Sequence, residues 1–451
     1  MTFCRIPQVD LADRIRNLLS GPPASDKAAR IQRIYSMAAR ILSAAAGPAP
    51  LCLGCAAYEI TAAALLAGLA GAPPLILPPE FSPPVLDAIH RATGFQAIIA
   101  DPETIRQAPW PGIDPTLPLT VPPLQAYDGI KAPGDLWVYL YTGGSTGTPR
   151  LWSKTVANLL GEAAFQAARL ALTPADVVLA TVPAHHIYGL LFTVLAPLIA
   201  GAGVAPVTPV FPAEIAVALA DAGATVLVSV PAHYRSLVSH LGRGTALRLA
   251  LSSAAPLPAE DAQAFFRTTG VPLEEVYGST ETGGIATRCR ARGEVGLTPF
   301  AGLDWKIANG HLSVRSSFLS PELPRDAEGF FQTADRVSVH GKGGFVVEGR
   351  SDGVVKVGGR RVELETVRRC ILAIRGVSDA FVFARPAPGG RQNEILALVQ
   401  TGIEAAGIRS LLQAELPAWA LPRVIRITDQ IPLAATGKYD RQTIEVLFDS
   451  I

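Results

Sequence analysis

The sequence has no excess of either charge, and this absence excludes several classes of partner. Thirty-nine Lys and Arg residues stand against thirty-eight Asp and Glu residues, which gives a formal net charge of +1. A chain with so little net charge has no global field to attract nucleic acid or an anionic membrane. We therefore expect no nucleic-acid partner, and the function must come from local sites.

Cysteine is also scarce, since the 451 residues include only five: Cys4, Cys52, Cys55, Cys289 and Cys370. Five dispersed thiols are too few to staple a chain of this size. Cys52 and Cys55 form a C-x-x-C pair, but no second pair or nearby His completes a zinc set, and their neighbours are apolar. We expect buried structural thiols in a reduced cytoplasm, with redox chemistry as the alternative.

The chain offers no clear signal for secretion or for crossing a membrane. Asp10 and Asp13 interrupt the N-terminal segment before an apolar core can form, which argues against a secretory signal. Residues 188–212 carry no charge and are long enough to span a bilayer, but several prolines interrupt them. A buried helix near 189–200 followed by a strand near 203–206 explains the same residues, so we expect a cytoplasmic protein without a span.

Between about residues 136 and 282, short β-rich runs alternate with helical patterns. The strands are predicted at 136–141, 177–182, 225–230 and 247–252, and the helices at 156–172, 212–221 and 258–268. Such alternation predicts a parallel sheet with crossover helices. Residues 61–77 and 85–100 suggest further α/β units. Gly-punctuated strands such as 310–315 and 344–348 follow the core, and mixed α and β structure ends the chain. The predicted fold class is α/β.

A loop rich in Gly, Ser and Thr follows the predicted strand at 136–141. Residues 141–150 read Tyr-Thr-Gly-Gly-Ser-Thr-Gly-Thr-Pro-Arg. Backbone N–H groups and hydroxyls of such a loop can converge on phosphate oxygens. The candidate phosphate ligands are Thr142, Gly143, Gly144, Ser145, Thr146, Gly147 and Thr148. It is not a Walker loop, because Thr148 and Pro149 stand where Lys and Ser or Thr are required. A plain surface turn is the alternative.

This loop resembles the Y-T-S-G-S-T-G-x-P-K signature of the adenylate-forming superfamily, which comprises acyl- and aryl-CoA synthetases, adenylation domains of nonribosomal peptide synthetases, and luciferases. Other segments match the family's motifs in the family's order. They are P-x-x-H-x-x-G at 183–189, the adenine-side segment at 253–257, Y-G-x-T-E at 277–281, T-x-D at 333–335, the G-R-x-D hinge region at 349–359, and P-x-x-x-x-G-K-x-D-R at 432–441. The ordered set is far more specific than any single motif.

The resemblance implies a nucleotide site. Activating a carboxylic acid requires its oxygen to attack the α-phosphorus of ATP, so the enzyme must hold the nucleotide and neutralise developing negative charge. In the family, the Gly/Ser/Thr loop wraps the β- and γ-phosphates, the residue matching Thr280 bonds the α-phosphate, and Glu281 is the expected Mg²⁺ ligand. The remaining nucleotide contacts implied by the family are Ala254, Ala255, Tyr277, Gly278, Ser279, Asp335 and Arg350.

The resemblance also implies an acyl pocket and a mobile domain. His186 matches the family histidine beside the acyl pocket, and Tyr188 is a candidate wall residue. Lys438 matches the catalytic lysine, in a small domain that rotates about the hinge residue Asp352 between two half-reactions. Lys356 and Gly358–Gly359 match the loop that then approaches the thiol acceptor, where the glycines let a pantetheine arm come close to the backbone.

The implied architecture is a large N-terminal domain, 1–351, of stacked α/β subdomains plus a β-rich subdomain, followed by a small mobile α+β domain, 352–451. The active site is expected between them. The implied function is ATP-dependent activation of a carboxylic acid, with Mg²⁺, pyrophosphate release, and transfer to the phosphopantetheine thiol of CoA or of an acyl carrier protein.

The sequence departs from the family pattern in ways that bear on the acid. Gly144 stands where Ser is common and Arg150 where Lys is common, and the phosphate loop comes early in a shortened chain. Residues 148–154 are similar to short ligases of aryl polyene and xanthomonadin-type pigment pathways, which suggests a small aromatic acid such as a hydroxybenzoate. The alternatives are a medium-chain fatty acyl-CoA synthetase, an inactive carrier-binding module with this fold, and an unrelated phosphotransferase.

Overall fold

The computed structural model describes residues 11–20, 28–117, 124, 128–142, 150–341, 343–350, 353–357, 360–386, 393–434 and 437–449. Contacts divide the chain into two compact units. The first comprises Met1–Asp304 and Arg315–Gly329, and the second comprises Trp305–Val314 and Phe330–Ile451. These units do not coincide with the predicted domains 1–351 and 352–451, so that boundary stays a prediction about the hinge.

Two sheets build the first unit. The strands of the first sheet are β1 (Leu51–Leu53), β2 (Leu75–Leu77), β3 (Ala97–Ile99), β4 (Gly112–Ile113), β5 (Leu136–Thr142) and β6 (Arg150–Thr155), in the order β4-β3-β1-β2-β5-β6. The strands of the second are β7 (Val177–Ala180), β8 (Gly203–Val204), β9 (Val226–Ser229), β10 (Leu249–Ser252), β11 (Leu273–Ser279), β12 (Gly283–Cys289) and β13 (Thr298–Pro299), in the order β13-β12-β11-β10-β9-β7-β8.

The helices of the first unit are α1 (Leu11–Ser20), α2 (Ala28–Ala44), α3 (Tyr58–Leu69), α4 (Pro83–Thr93), α5 (Pro102–Gln107), α6 (Val156–Arg169), α7 (Ile187–Gly189), α8 (Ala196–Ala200), α9 (Pro212–Asp221), α10 (Pro231–Leu237) and α11 (Ala259–Thr269). Short 3₁₀ turns follow at Val238–His240 and Arg290–Arg292. Strands β1, β2 and β3 are buried throughout, as expected for parallel strands covered on both faces. Helix α6 begins at a capping box in which Thr155 and Asn158 each accept the other's backbone N–H.

The second unit contains three smaller sheets. Two end residues of their strands, Asp304 and Arg315, are counted with the first unit. The strands of the second unit are β14 (Asp304–Ala308), β15 (His311–Arg315), β16 (Phe331–His340), β17 (Gly344–Arg350), β18 (Val354–Val357), β19 (Arg360–Glu363), β20 (Val377–Pro386), β21 (Asn393–Thr401) and β22 (Val424–Thr428). Its helices are α12 (Leu364–Leu372), α13 (Ala405–Glu415) and α14 (Arg441–Asp449), with a 3₁₀ turn at Ala418–Ala420. The sheets are β14-β15-β16-β17, β18-β19 and β20-β21-β22.

The α/β fold class is confirmed, but the predicted core is divided differently. Strand β5 joins the first sheet, parallel to β2, whereas β7 and the strands after it form the second sheet. Strand β6, which pairs antiparallel with β5, was not predicted. Helix α9 has the predicted bounds, and α6 is shorter than predicted at its C-terminal end.

The uncharged segment 188–212 is protein core in its first half. The chain from α7 to α8 is helical throughout, with a π-helix at Leu190–Leu195 whose residues are all buried, and strand β8 follows. The predicted buried helix and strand are therefore confirmed, although no sequence pattern indicated the π-helical register. In the described part of the chain, no helix has the length and apolar character needed to cross a bilayer.

The C-x-x-C pair lies in the first unit. Cys52 is buried in β1, and Cys55, just after that strand, is partly buried. Burial raises the pKa of the Cys52 thiol to about 12 and also raises that of Cys55, so both are protonated and poorly nucleophilic near neutral pH. This supports the prediction of structural thiols.

Candidate active site

Three predicted site segments meet at one edge of the second sheet. Strands β7, β9, β10 and β11 are parallel neighbours in that sheet, so their carboxyl ends lie along the same edge. The histidine motif follows β7, residues 253–257 follow β10, and Thr280 and Glu281 follow β11. Ligands of open α/β sheets bind in crevices outside such carboxyl ends. The fold therefore brings these motifs of the first unit to one place.

The histidine motif contains two neighbouring imidazole rings, tilted by 46° to each other. The ring of buried His185 lies 4.6 Å from the Phe81 ring in an edge-on arrangement and 4.3 Å from the His186 ring. Burial lowers the pKa of His185 to about 4, so this imidazole is neutral near pH 7. His186 is half-buried and directly precedes α7, where its carbonyl accepts the N–H of Leu190 at 2.7 Å. His186 lies at the carboxyl edge of the second sheet, and its pocket role stays a prediction.

Tyr188 is held by a polar network that the sequence did not reveal. Its hydroxyl donates to the carbonyl oxygen of Ser229 at 3.2 Å, and its ring packs against Phe192 with centroids 5.4 Å apart. The Ser229 hydroxyl lies 2.6 Å from that of Thr181, which in turn lies 2.8 Å from Nδ1 of His233. Because the Tyr188 hydroxyl donates its hydrogen to Ser229, Tyr188 can offer a ligand its ring or an acceptor oxygen, but no free donor.

The segment after β10 contains an unusual backbone conformation. Ala254 has φ of +73°, a left-handed conformation that costs an L-residue about 1–3 kcal/mol. Ser253 donates its hydroxyl to the carbonyl of Val276 at 2.8 Å, which ties this segment to β11. Such strain concentrates at ligand sites, and Ala254 and Ala255 are partly exposed at the sheet edge.

Tyr277, Gly278 and Ser279 end β11, the first strand of a tight hairpin with β12. Gly278 pairs with Gly284, and a Cβ at Gly278 would lie 2.3 Å from the carbonyl oxygen of Gly283. Only glycine fits at this position, because the obstacle is backbone. The glycine of the Y-G-x-T-E motif is therefore required for the close approach of the two strands, and Tyr277 is half-buried beside it.

Thr280 and Glu281 occupy the turn of this hairpin. The hydroxyls of Ser279 and Thr282 lie 2.8 Å apart, and each also accepts the backbone N–H of the other residue. Within the described part of the chain, the side chains of Thr280 and Glu281 make no hydrogen bond or ion pair, and both are partly exposed. A free hydroxyl and a free carboxylate on a fixed turn suit a phosphate oxygen and a hard cation.

The chemistry of these donors fits Mg²⁺ bound together with a nucleotide. Across the described residues, no cluster of three or more His, Cys, Asp or Glu side chains is placed to hold a metal. Mg²⁺ commonly binds through one or two carboxylates together with substrate phosphates. Glu281 supplies one such carboxylate.

The predicted phosphate loop joins two neighbouring strands of the first sheet. Thr142 at the end of β5 pairs with Arg150 at the start of β6, so the loop closes a hairpin. The Arg150 guanidinium stacks over the Trp152 ring at 4.0 Å. The loop residues Gly143, Gly144, Ser145, Thr146, Gly147 and Thr148 lie outside the described residues, as does the side chain of Thr142.

In the second unit, Asp335 and Arg350 are brought together as the motifs predict. They are register partners on β16 and β17, with Nη1 of Arg350 3.4 Å from Oδ1 of Asp335. The hydroxyl of Thr333 accepts the N–H of Asp335 at 3.2 Å and donates to the Leu312 carbonyl at 3.0 Å. The threonine of the T-x-D motif thus orients the aspartate.

Lys438 is exposed, and hydrogen bonds hold the residues on either side of it. Its carbonyl accepts the N–H of Ala434 at 2.8 Å, and the neighbouring Tyr439 donates its hydroxyl to Asp379 at 2.7 Å. Arg368 donates to the same Tyr439 hydroxyl at 3.0 Å. Asp440 caps α14 by accepting the backbone N–H of Thr443 at 3.1 Å. The residues after Lys438 in its motif therefore fix the turn that carries it.

The hinge and the second-state loop are not described. Asp352, Gly358 and Gly359 lie outside the described residues, and Lys356 lies in β18 with its side chain likewise outside them. The roles predicted for these residues stay predictions.

Two buried charges beneath the Thr280–Glu281 turn, Lys154 and Glu162, were missed by sequence reasoning. Both are 1% exposed. Their burial depends on residues 316–322, far along the chain, so no local pattern could have identified it.

Comparisons with known proteins found a matching family and several relatives. The AMP-binding enzyme family model matches residues 57–314. A 4-coumarate–CoA ligase of Rhodobacter capsulatus is 33% identical over 305 residues, which cover 66% of this chain and 73% of that protein. A sulfoacetate–CoA ligase of Cupriavidus necator is 27% identical over 386 residues, 75% of this chain and 74% of that protein.

Two further proteins extend the likeness. A 3-hydroxybenzoate–CoA/4-hydroxybenzoate–CoA ligase of Thauera aromatica is 27% identical over 345 residues, 69% of this chain and 66% of that protein. The structure of o-succinylbenzoate CoA synthetase from Bacillus subtilis with its acyl-adenylate intermediate has a TM-score of 0.76, 18% identity and 92% coverage of both chains, so the fold is shared. With more than half of its length matched by one family model, the chain belongs to the AMP-binding enzyme family.

Proposed function

We propose that the protein is an ATP-dependent acid–thiol ligase. It joins a carboxylic acid to AMP, releases pyrophosphate, and then passes the acyl group to a phosphopantetheine thiol. The observation that carries this proposal is the meeting of the histidine motif, the Ala254 segment and the Thr280–Glu281 turn at the carboxyl edge of one sheet. An acyl pocket, an adenine contact and a phosphate contact must adjoin one another for this reaction.

In the first half-reaction, a carboxylate oxygen of the acid attacks the α-phosphorus. The bond from that phosphorus to the bridging oxygen breaks, and pyrophosphate leaves. The Thr280 hydroxyl donates to an α-phosphate oxygen, and the Glu281 carboxylate holds Mg²⁺. When bound, Mg²⁺ neutralises phosphate charge. Lys438 bridges the carboxylate and the α-phosphate, because a fixed cation stabilises charge that builds up in the transition state.

The family resemblance assigns the remaining nucleotide contacts to further motif residues. Tyr277, Ala254 and Ala255 contact the adenine, while Asp335 accepts the ribose hydroxyls. Arg350 lies 3.4 Å from Asp335 and orients that carboxylate. The loop at 142–148 holds the β- and γ-phosphates with Mg²⁺.

In the second half-reaction, the thiol attacks the acyl carbonyl carbon, the bond to the AMP oxygen breaks, and AMP leaves. We propose that residues 352–451 rotate about Asp352 to exchange Lys438 for the Lys356–Gly359 loop. CoA is the favoured acceptor, since the three relatives named above are CoA ligases. An acyl carrier protein is the alternative acceptor.

We propose a small aromatic acid, such as a hydroxybenzoate, as the substrate. The Tyr188 and His186 rings are flat surfaces suited to an aromatic acid, and the buried Phe192 packs behind the Tyr188 ring. Two of the relatives named above act on aromatic acids, coumarate and hydroxybenzoate. The sulfoacetate ligase makes a small aliphatic acid the second candidate.

Pyrophosphate release with ATP, Mg²⁺ and a panel of acids tests the proposal. A ligase releases pyrophosphate only when the correct acid is present, a phosphotransferase releases ADP, and an inactive module releases neither. CoA and a phosphopantetheinylated carrier protein, supplied in parallel, identify the acceptor by the thioester formed. Acid-dependent ADP release without pyrophosphate would overturn the assignment.

A further inference from the structure

Lysine is rare in this chain, and one lysine is buried. The sequence contains seven Lys and thirty-two Arg residues. Lys154 lies in β6, an edge strand, yet its side chain is 1% exposed and points into the first unit. Burying an ammonium group is costly unless hydrogen bonds replace its water. The hydrogen bonds that offset this cost indicate the role of Lys154.

The ammonium of Lys154 holds two backbone carbonyls. Its Nζ donates to the carbonyl oxygen of Phe318 at 2.9 Å and to that of Glu281 at 3.3 Å. The backbone N–H of Ser320 also donates to the Glu281 carbonyl, at 2.8 Å. The peptide group of Glu281 is thus fixed by two donors, one of which is a cation.

Glu162 holds the other end of the same turn. Its Oε1 accepts the backbone N–H of Gly284 at 2.6 Å, and the side chain is 1% exposed. A Cβ at Gly283 would lie 2.5 Å from Oε2 of Glu162, so this close approach requires a residue without a side chain. The Lys154 ammonium therefore binds the hairpin backbone before Thr282, and the Glu162 carboxylate binds it after Thr282.

The two buried charges also compensate each other. Burial lowers the pKa of Lys154 to about 8, and the carboxylates of Glu162, Glu281 and Glu322 counter that effect. Burial raises the pKa of Glu162 to about 7, which the Lys154 charge and the Gly284 N–H counter. Removal of either partner alone leaves an uncompensated charge in the core.

The hydrogen bonds within the turn at residues 279–282 do not involve its two central residues. The pair Ser279 and Thr282 closes the base of the turn, while Thr280 and Glu281 lie between them. The orientation of the Glu281 peptide, and with it the direction of the Glu281 side chain, depends on Lys154 and Ser320. The segment 316–322 is itself held in place, because the side-chain amide of Asn158 donates to the Ser317 carbonyl at 2.6 Å.

We propose that Lys154, with Glu162 as its counterion, is a positioning residue for Glu281: its buried ammonium holds the Glu281 peptide so that the carboxylate is preset to bind the divalent cation. This rests on the proposed function, in which Glu281 binds Mg²⁺ with ATP. Lys154 touches no substrate and acts only through the turn.

Steady-state pyrophosphate release, measured against Mg²⁺ concentration and separately against acid concentration, tests this role. Lys154→Met keeps the length of the side chain and removes its charge. We expect the Mg²⁺ concentration for half-maximal rate to rise by about tenfold or more, because groups that orient metal ligands affect metal affinity to this extent. The KM for the acid should change by less than about twofold, since the acid does not contact this turn.

Mn²⁺ and a lysine elsewhere serve as controls. Mn²⁺ binds such oxygen ligands more tightly and should recover part of the lost rate of Lys154→Met. Lys131→Met, which changes a lysine outside the turn, should leave the Mg²⁺ response unchanged. A variant Lys154→Met that loses rate equally at all Mg²⁺ concentrations, with unchanged half-saturation, would overturn the proposal.

A second variant covers the case in which Lys154→Met does not fold. The double variant Lys154→Met/Glu162→Leu removes both buried charges together, so it leaves none unpaired. It should fold and show the same rise in the Mg²⁺ requirement, and a folded double variant with a normal requirement would also overturn the proposal. Wild-type protein without acid-dependent pyrophosphate release would instead refute the proposed function itself.

Discussion

A Cβ built on Gly189 would lie 2.0 Å from the carbonyl oxygen of Pro183. The backbones at the two ends of the turn at residues 183–189 are therefore in direct contact. Only glycine can occupy position 189. His186 and Tyr188 lie within this turn, so their placement at the sheet edge depends on that contact. The motif's proline and glycine act as a pair.

Gly189→Ala should disturb the turn. Relieving the clash requires a backbone shift, and we expect a loss of about 1–3 kcal/mol in the free energy of unfolding and a higher KM for the acid, because His186 and Tyr188 move. Thermal unfolding and acid titrations measure both. Gly161→Ala, in α6 where a Cβ meets nothing within 4 Å, is the matched control and should be about 0.5–1 kcal/mol more stable than wild type. A stable Gly189→Ala with unchanged KM would contradict the prediction.

His185 should make folding sensitive to mild acid. Its pKa is about 4 in the folded protein because of burial, against an ordinary value of 6.5. Between these values the unfolded chain binds a proton that the folded protein does not, so stability falls as pH falls. The contribution is up to about 1.4 kcal/mol for each pH unit in that window.

The change His185→Gln removes this titration. Denaturant unfolding across the window should show a shallower loss of stability with acid than wild type, whatever the variant's absolute stability. His240→Gln, which replaces an exposed histidine, should keep the wild-type slope. Identical slopes for wild type and His185→Gln would show that His185 takes up its proton in the folded state.

The sequence predicts the elements whose signals are local and misses those set by distant partners. Helix α9 begins at Pro212, and proline at the first helical position marks such a start. Strand β6 was missed because its inward positions are Trp152 and Lys154, and a lysine breaks the apolar alternation. Its burial becomes intelligible only with Phe318 and Glu281, more than a hundred residues away.

The motifs likewise predict which residues belong to the site better than they predict the contacts that support those residues. Asp335 and Arg350 were expected in one site, and the pairing of β16 with β17 makes them neighbours. The network of Tyr188, Ser229 and His233 joins α7 to the end of β9 and to α10, so no spacing in the sequence reveals it.

Lys438→Ala should separate the half-reactions. We expect adenylate formation to fall by more than about a hundredfold, since a fixed cation at the reacting phosphate contributes several kcal/mol. Thioester formation from a supplied acyl-adenylate should persist, because Lys438 is proposed to act only in the first step. Pyrophosphate exchange and a direct thioester assay measure the two. Lys306→Ala, in the same compact unit, is the control, and equal loss of both steps in Lys438→Ala would contradict the assignment.

Asp352→Pro tests the proposed hinge. Proline fixes φ and so should hold the chain in one of its two orientations. Thioester formation should fall more than adenylate formation, as measured by single-turnover assays of each step. Asp352→Ala, which removes the carboxylate but leaves the backbone free, should be much milder. Normal overall turnover of the proline variant would place the hinge elsewhere or make rotation unnecessary.

The acid itself is the last prediction: 3- or 4-hydroxybenzoate should be preferred over a long-chain fatty acid. Burying the faces of one ring against Tyr188 and its neighbours provides about 2–3 kcal/mol, and a single polar group can select a ring hydroxyl. The Tyr188 hydroxyl already donates to Ser229, so it can serve a ring hydroxyl only as an acceptor. His186 is the better candidate, so His186→Phe should weaken the preference for hydroxybenzoate over benzoate while keeping activity on benzoate. Values of kcat/KM decide, and octanoate or palmitate exceeding both hydroxybenzoates by about tenfold, or about 1.4 kcal/mol in transition-state binding, would exclude an aromatic pocket.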